Sequence, residues 1–284
     1  MRRVERDDGE GVDSMKEPPS SVTWQTIKIS GETSRGMEDE IAAEYPLTIR
    51  LDGEEFATLV CSPDDVEDLV IGFLASEGVI RTYEEIKELS LDIEHGFAHV
   101  SLHRPQSTGK DFYAKRFIGS CCGKSRQFYF HNDARTAKTI KGGAKVAVRQ
   151  CFACMQTLQE QSADFRATGG VHNAALFHEE TGAVAARQDI GRHNALDKLF
   201  GHILKHRIPA KRHIIAFSGR LSSEIVLKAA KIGCPVLLSK SAPTDLALRL
   251  ADELGITCAG FIREGSMNIY THAYRIIADS IELN

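Results

Sequence analysis

The chain has 284 residues, of which 42% are hydrophobic, so it is long enough for one large domain or two moderate ones. Its net charge of -4 gives no general signal for binding polyanions, which argues against nucleic acid as a partner. No apolar run reaches the roughly 18 residues that a membrane span needs. The N-terminus "MRRVERDDGE" has basic residues without an apolar stretch behind them, so it is not expected to be a signal peptide. These features predict a cytoplasmic protein that does not enter a membrane and keeps its seven cysteines reduced.

The N-terminal segment, residues 1–40, is predicted to be a disordered tail. Half of the first 20 residues are charged, and Pro18 and Pro19 lie near their end. Such a composition buries too little apolar surface to order the chain. We therefore exclude this segment from the predicted fold.

A small α+β domain is predicted for residues 41–140. The stretch "YPLTIRLDGEEFATLVCS" alternates as two strands joined by an Asp52-Gly53 hairpin turn. A helix is predicted next, with Ser62 as its N-cap and Pro63 in its first position. The stretch "SLDIEHGFAHVSL" then returns to the alternation of strands.

The loop "GSCCGKS", residues 119–125, places Cys121 and Cys122 side by side between glycines. Its ending is that of a phosphate-binding loop, but Gly119 lies one residue too close to Gly123 for that motif. A disulfide between adjacent cysteines would close a strained ring and would be labile. A pair of reactive thiols is the third interpretation, and a polar, glycine-flanked loop suits it.

An α/β domain is predicted for residues 141–284. A helix is expected within residues 144–165, followed by a hairpin that turns at Thr181-Gly182. Helices and strands then alternate through "RHNALDKLFGHILKHRI", "HIIAFS", "SSEIVLKAAKIG", "PVLLSK", "TDLALRLADELG" and "TCAGFI". This alternation predicts a mostly parallel sheet covered by helices.

The last three predicted strands each end in a cation, namely Arg220, Lys240 and Arg263. Ligands of open α/β sheets bind beyond the carboxyl ends of the strands, where helix N-termini favour anions. We therefore predict an anion site at this edge, with GDP as a test ligand. Its further members are Ser218, Gly219 and Ser241, His172 and Asn173 in "TGGVHNA", Arg192, His193 and Asn194 in "DIGRHNALDK", and backbone N–H groups near Ser222, Thr244 and Gly265.

Cys151 and Cys154 form a C-x-x-C, a spacing that occurs in redox and zinc sites. They share an apolar helical stripe, so we interpret them as small core residues. The zinc deaminase signature H-x-E…P-C-x-x-C is missing, because Ala174 replaces its Glu and Gln150 replaces its Pro. No resident metal is predicted.

Six segments together closely resemble the FdhD family, the formate dehydrogenase accessory sulfurtransferases. They are "GSCCGKS", "TGGVHNAALF", "DIGRHNALDK", "SGRLSSEIVLKA", "SKSAPTDLAL" and "GFIREGSMNIYTH", in this order. The resemblance implies a cytoplasmic sulfurtransferase with a cytidine-deaminase-like domain that lacks the zinc ligands. It also implies that a loop cysteine takes persulfide sulfur from a cysteine desulfurase. The sulfur then passes to the molybdenum or tungsten bis-guanine-dinucleotide cofactor of formate dehydrogenase.

The resemblance also assigns site residues. Cys122 matches the second cysteine of the family's C-G-x-C-G loop, and Cys121 matches the first only if the loop is shortened, so the persulfide carrier stays open. A rival hypothesis is a cofactor-binding chaperone without sulfur transfer, and the sequence leaves a homodimer open. The stretch implied to contact the guanine dinucleotide is Phe261, Ile262, Arg263, Glu264, Gly265 and Ser266.

Overall fold

The computed structural model of the chain describes residues 18–104, 116–118, 137, 139–160, 162–263 and 265–278. Within these ranges, no helix combines the length and apolar character needed to cross a membrane. The described residues form a mixture of helices and of parallel and antiparallel strands, as the predicted α/β class requires.

The N-terminal segment contains a β-hairpin, β1 (Ser21–Ser30) and β2 (Thr33–Ala42), paired in antiparallel register. The prediction of a disordered tail over residues 1–40 is therefore wrong for residues 21–40, while residues 1–17 lie outside the described part. The charge and proline content that suggested disorder ends near Ser20. Beyond it, Val22, Trp24 and other strand-forming residues recur, and Gly31 closes the turn with a φ of 59°.

A five-stranded sheet follows the hairpin, in the spatial order β5-β6-β3-β4-β7. The Asp52-Gly53 turn is confirmed: both residues have positive φ, 49° and 86°, as a tight hairpin turn between these strands requires. The strands are β3 (Tyr45–Leu51), β4 (Glu54–Cys61), β5 (Ile86–Asp92), β6 (Phe97–Leu102) and β7 (Arg116–Ile118), with a 3₁₀ turn at Tyr83–Glu85.

Helix α1 (Val66–Ser76) covers this sheet and begins later than predicted. Its N-cap is Asp65, so the prediction of Ser62 as N-cap is wrong. The backbone N–H of Ser62 donates to Asp189 Oδ2 (3.0 Å), and its hydroxyl accepts from the N–H of Ile190 (3.0 Å). These long-range hydrogen bonds hold Ser62 outside the helix.

The second sheet has the order β10-β9-β11-β12-β13-β14. Only β11, β12 and β13 pair in parallel, so the predicted mostly parallel sheet is confirmed for the centre alone. The outer pairings are antiparallel, partly because short turns join β9 to β10 and β13 to β14. The strands are β9 (His172–His178), β10 (Gly182–Asp189), β11 (His213–Phe217), β12 (Val236–Ser239), β13 (Thr257–Arg263) and β14 (Ser266–Ile269).

The helices of this half follow the sequence-based expectation closely. The helix expected within residues 144–165 is divided into two pieces, and a short parallel pair, β8 (Val146–Ala147) and β15 (Ile276–Ile277), lies beside it. The helices are α2 (Val148–Glu160), α3 (Ala163–Thr168), α4 (Arg192–Lys205), α5 (Ser223–Ile232) and α6 (Asp245–Leu254), with 3₁₀ turns at Ala210–Arg212 and Ala273–Arg275.

One hydrophobic core joins the two predicted domains. It includes Leu47 and Leu69 from the first half and Leu196 and Ile215 from the second. Helices α1 and α4 meet at two buried glycines, one in each helix. A Cβ atom on Gly72 would lie 1.8 Å from the carbonyl oxygen of Asp197, and one on Gly201 would lie 1.9 Å from that of Asp68. The two helices therefore touch backbone to backbone.

A buried ion pair reinforces this junction. Lys198 Nζ lies 2.9 Å from Asp189 Oδ2, and both side chains are fully buried. Burial alone would lower the pKa of Lys198, but the carboxylates of Asp189 and Asp64 outweigh it, so the pKa is raised. Lys198 also donates to the carbonyl oxygens of Ser62 and Gln188, each at 3.1 Å. Removing one member of such a pair would leave an uncompensated buried charge.

Candidate anion site

The carboxyl ends of β11, β12 and β13 lie at one edge of the second sheet, because these strands run in parallel. Arg220, Lys240 and Arg263 follow or end these strands, so the structure brings the three predicted cations to the same edge. All three are exposed, and among the described residues none of them forms an ion pair. They are therefore available to an anionic ligand.

Strand β9 begins at this same edge, because it runs antiparallel to β11 with Ala174 opposite Phe217. The backbone N–H of Asn173 donates to Ser218 Oγ (2.9 Å), and the N–H of Ser218 donates to the carbonyl of Asn173 (3.0 Å). His172 Nδ1 lies 3.4 Å from Ser218 Oγ. The predicted members from β9 and from the end of β11 are thus neighbours.

A cavity of about 890 Å³ opens beside the strand ends. Its volume lies in the range of ligand-binding pockets. One wall belongs to the strand edge and is formed by Lys240, Ile262, Arg263 and Ser266. The other wall, here called the α2 wall, is formed by Phe152, Met155, Gln156, Gln159 and Glu160.

A polar cluster lies where α4 and α5 begin. His193 Nε2 is 2.7 Å from Glu224 Oε2. The buried Nε of Arg192 and the buried Oγ of Ser222 have no hydrogen-bond partner within the described part of the chain. Buried polar atoms are normally paired, so such orphan atoms are typical of a site that binds a ligand or water. The cluster lies at the same end of the sheet as the cations.

The histidines of this edge are held neutral by their surroundings. Burial lowers the pKa of His172, and the nearby Arg192 and His193 lower it further. Burial also lowers the pKa of His193, although its contact with Glu224 opposes that effect. Both rings are therefore hydrogen-bonding groups, rather than additional cations, near neutral pH.

The two predicted asparagines use their side chains inside the protein. Asn194 Nδ2 donates to the carbonyl of Val60 (2.9 Å) and to Asp189 Oδ1 (3.0 Å). Asn173 Oδ1 accepts from Ser162 Oγ (2.8 Å). Both residues therefore support the edge from within, and their contact with a ligand stays a prediction.

The predicted backbone cradle needs correction at two positions. The N–H of Ser222 donates to the carbonyl of Arg220 (3.1 Å), and the N–H of Thr244 donates to that of Leu221 (3.0 Å). These two N–H groups are therefore engaged inside the protein, and anion binding by other backbone N–H groups near them stays a prediction. The loop before α5 folds back on itself, and the loop before α6 is hydrogen-bonded to it, which could not be read from the spacing of the residues.

Phe261 has a strained backbone at the edge of the site. Its φ is 53°, a left-handed value that is rare for a bulky residue, and its side chain is exposed. The N–H of Phe261 donates to the carbonyl of Ser241 (3.2 Å), which ties β13 to the end of β12. Strain of this kind clusters at functional sites. Of the predicted contact stretch, Glu264 lies outside the described residues.

The α2 wall is the part that sequence reasoning missed. The sequence pattern of this helix indicates its buried stripe, and Cys151 and Cys154 are indeed buried there. The exposed face of the same helix carries Gln156 and Gln159, one turn apart and beside Phe152. These uncharged amides next to an aromatic ring, on an exposed helix face, were the sequence feature that could have indicated this wall of the cavity.

The described cysteines are buried and poorly reactive. Burial raises the pKa of Cys154 to about 12, and it raises the pKa of Cys234 and Cys258 to about 12 as well. Among the described residues, no three His, Cys, Asp or Glu side chains are placed to hold a metal ion. Cys121 and Cys122 lie outside the described residues, so their reactivity stays a prediction.

The fold and the site together define a mixed α/β protein with a cation-lined cavity at the carboxyl ends of its parallel strands. Residues 42–277 match the FdhD/NarQ family, and the chain belongs to that family. It is 62% identical over 240 residues to the sulfur carrier protein FdhD of Geobacillus kaustophilus, covering 84% of this chain and 91% of that one.

Two further relatives bear on the fold and the family. The sulfur carrier protein FdhD of Bacillus subtilis is 53% identical over 246 residues, covering 87% of this chain and 93% of that one. A crystal structure of a putative formate dehydrogenase accessory protein from Desulfotalea psychrophila superposes with a TM-score of 0.75. Its sequence is 25% identical, and the match covers 91% of this chain and all of that one.

Proposed function

We propose that this protein is a cytoplasmic sulfur carrier in the maturation of formate dehydrogenase. It accepts persulfide sulfur from a cysteine desulfurase and passes it to a molybdenum or tungsten bis-guanine-dinucleotide cofactor, which it binds as substrate. The relatives from Geobacillus and Bacillus, both named sulfur carrier proteins, support this role. The matched crystal structure from Desulfotalea psychrophila supports the link to formate dehydrogenase.

The observation that carries the cofactor-binding part is the cation-lined cavity. Lys240 and Arg263 line it, and Arg220 lies at the neighbouring strand end. A bis-guanine-dinucleotide cofactor carries pyrophosphate groups, whose charge these cations would neutralise. The Nε of Arg192 and the Oγ of Ser222 at the same sheet edge add donors that have no hydrogen-bond partner among the described residues.

The sulfur chemistry is assigned to Cys121 and Cys122, with Cys122 as the preferred carrier. In the loading step, the loop thiolate attacks the terminal sulfur of the donor persulfide, the S–S bond of the donor breaks, and the donor thiolate leaves. Transfer onward restores the loop thiolate. Because the transferred sulfur atom must become sulfide, the reduced metal of the acceptor supplies the two electrons.

The fold is proposed to be a cytidine-deaminase-like one that has lost zinc catalysis. Ala174 lies buried in β9 where the deaminase signature has its glutamate, and Cys151 lies buried in α2. Neither position offers a catalytic acid or an exposed ligand. Such a domain would retain the ability to bind the nucleotide portion of the cofactor at the sheet edge.

The experiment incubates the full chain with a cysteine desulfurase and cysteine and examines peptide 117–126 by mass spectrometry. We expect an adduct of one sulfur atom on this peptide. Cys122→Ala should abolish formate dehydrogenase maturation, whereas Cys121→Ala should retain part of it. Cys258→Ala is the control, because this buried cysteine should affect stability only.

Three outcomes separate the alternatives. Adducts on the peptide together with GDP binding support the sulfur carrier. GDP binding without any adduct favours a cofactor chaperone that transfers no sulfur. If Cys121→Ala abolishes maturation and Cys122→Ala does not, the roles of the two thiols are reversed.

A further inference from the structure

The two walls of the cavity differ in chemistry. The strand wall carries the cations Lys240 and Arg263, whereas Glu160 is the only carboxylate among the described residues of the lining. The α2 wall otherwise offers the half-buried Phe152 and the amides of Gln156 and Gln159. The cations favour negative charge at one end of a ligand, and the carboxylate of Glu160 favours hydrogen-bond donors at the other.

Neighbouring side chains bind both the carboxylate and the backbone of Glu160. Gln156 Nε2 donates to Glu160 Oε1 at 2.7 Å, and Arg166 Nη1 donates to the backbone carbonyl of Glu160. Within the described residues, Oε2 of Glu160 accepts no hydrogen bond. An oriented carboxylate with a free oxygen is an acceptor for ligand N–H groups.

Guanine presents two adjacent donors on its Watson–Crick edge, N1–H and the 2-amino group, and a carboxylate can accept both. Adenine presents an acceptor at N1, which a carboxylate repels. A site built around hydrogen bonds to one base rejects an analogue that lacks the partner groups, because its own polar atoms would stay unpaired. A carboxylate in the lining would therefore distinguish the two purines in a way that an apolar wall would not.

We propose that Glu160 selects guanine by accepting N1–H and the 2-amino group of the base, while Lys240 and Arg263 hold the phosphates. This inference rests on the proposed function, since it concerns the same cavity. Phe152 lies on the same helix, and its half-buried ring provides apolar contact for the base. Gln156 positions the carboxylate through its hydrogen bond to Oε1.

The test is calorimetric titration of the full chain with GDP, ADP and pyrophosphate. The variant is Glu160→Gln, and the matched control is Glu253→Gln, an exposed glutamate near the end of α6 that does not line the cavity. We expect Glu160→Gln to weaken GDP about ten- to a hundredfold, as the loss of a charge-assisted contact implies. Binding of ADP and pyrophosphate should not weaken, and Glu253→Gln should match the wild type for all three probes.

The outcomes distinguish this inference from the proposed function. If the wild type binds GDP and Glu160→Gln binds it equally well, the inference fails and the proposed function stands. If the variant loses GDP, ADP and pyrophosphate to the same degree, Glu160 only supports the cavity and the inference also fails. If the wild type binds no GDP, the cofactor-binding part of the proposed function fails together with the inference. Unfolding temperatures of both variants, measured alongside, show whether the exposed substitution leaves the fold intact.

Discussion

Arg263 is the side chain at which the strand edge and the cavity coincide. It ends β13, is exposed, and lines the cavity together with Lys240 and Ser266. Arg263→Ala should weaken GDP binding about ten- to a hundredfold, because hydrogen bonds to charged groups contribute roughly 1.5 to 3 kcal/mol. Calorimetric titration of wild type and variant measures the difference.

The control for Arg263→Ala is Arg249→Ala. Arg249 is an exposed arginine on α6 whose Nη2 lies 3.8 Å from Asp245, a pair that contributes little in solvent. The GDP affinity of this control should equal that of the wild type. Raising the salt concentration should moderately weaken GDP binding by the wild type. Equal affinities of Arg263→Ala and wild type would mean that the strand-end cations are solvated surface.

Helices α1 and α4 depend on glycine at their crossing. Alanine is normally the better helix residue, by about 1 kcal/mol. At Gly72 the added methyl would lie 1.8 Å from the carbonyl oxygen of Asp197, so the helices would have to separate. We expect Gly72→Ala to lower the free energy of unfolding by about 1–3 kcal/mol or more, as overpacking does. Urea denaturation measures this change.

The matched control is Gly36→Ala in β2. A Cβ atom on Gly36 meets no other atom within 4 Å, and its φ is not positive. Its free energy of unfolding should therefore stay within about 0.5 kcal/mol of the wild type. Similar losses at both positions would argue that the two helices do not meet as closely as the structure places them.

Histidines whose pKa is lowered in the folded state should make the molecule less stable as the solution becomes acidic. Burial lowers the pKa of four of the described histidines in the folded state, while in the unfolded state each has its ordinary value of about 6.5. Below that value the unfolded chain takes up protons that the folded protein does not, so stability is complete above pH 6.5 and declines as the pH falls. The histidines are His172, His193, His202 and His213.

Urea denaturation at pH 7.5 and pH 5.5 measures this decline. His202 is the position to test, because Arg187 Nη2 donates to its Nδ1 at 2.7 Å, which requires an unprotonated ring. Burial, followed by Arg187, lowers the pKa of His202, and the neighbouring Asp68 opposes this effect. In His202→Gln the loss of stability between the two pH values should be smaller than in the wild type. An unfolding free energy that is independent of pH, or that rises on acidification, would contradict the prediction.

Local patterns were sufficient where short-range chemistry decides the conformation. The Asp52-Gly53 turn requires positive φ at both residues, and the alternating strands around it leave few other conformations. Helix α6 begins at Asp245, after Thr244, and ends before Gly255, as its sequence predicts. The burial of Cys151 and Cys154 likewise follows from their apolar helical stripe.

Long-range contacts decided the features that these patterns missed. Ser62 looks like an N-cap in isolation, yet its hydrogen bonds to residues 189 and 190 displace the helix start to Val66. The buried pair of Lys198 and Asp189 is invisible in sequence, because a lysine in an amphipathic helix is normally exposed. The hydrogen bonds of Ser62 join residues more than a hundred positions apart. The ion pair places a lysine side chain in the protein interior, where lysine is rarely found.

The sequence by itself determined the strand–helix alternation of the second half, the cations at three strand ends and the family to which the chain belongs. These features reside in local periodicity and in short segments whose order along the chain is fixed. Only the tertiary structure decided that the sheet is mixed and that the exposed face of α2 lines the same cavity as Lys240 and Arg263. The physical reason is that strand direction and the facing of two distant walls depend on how elements pack, and packing energies are summed over contacts that no local window contains.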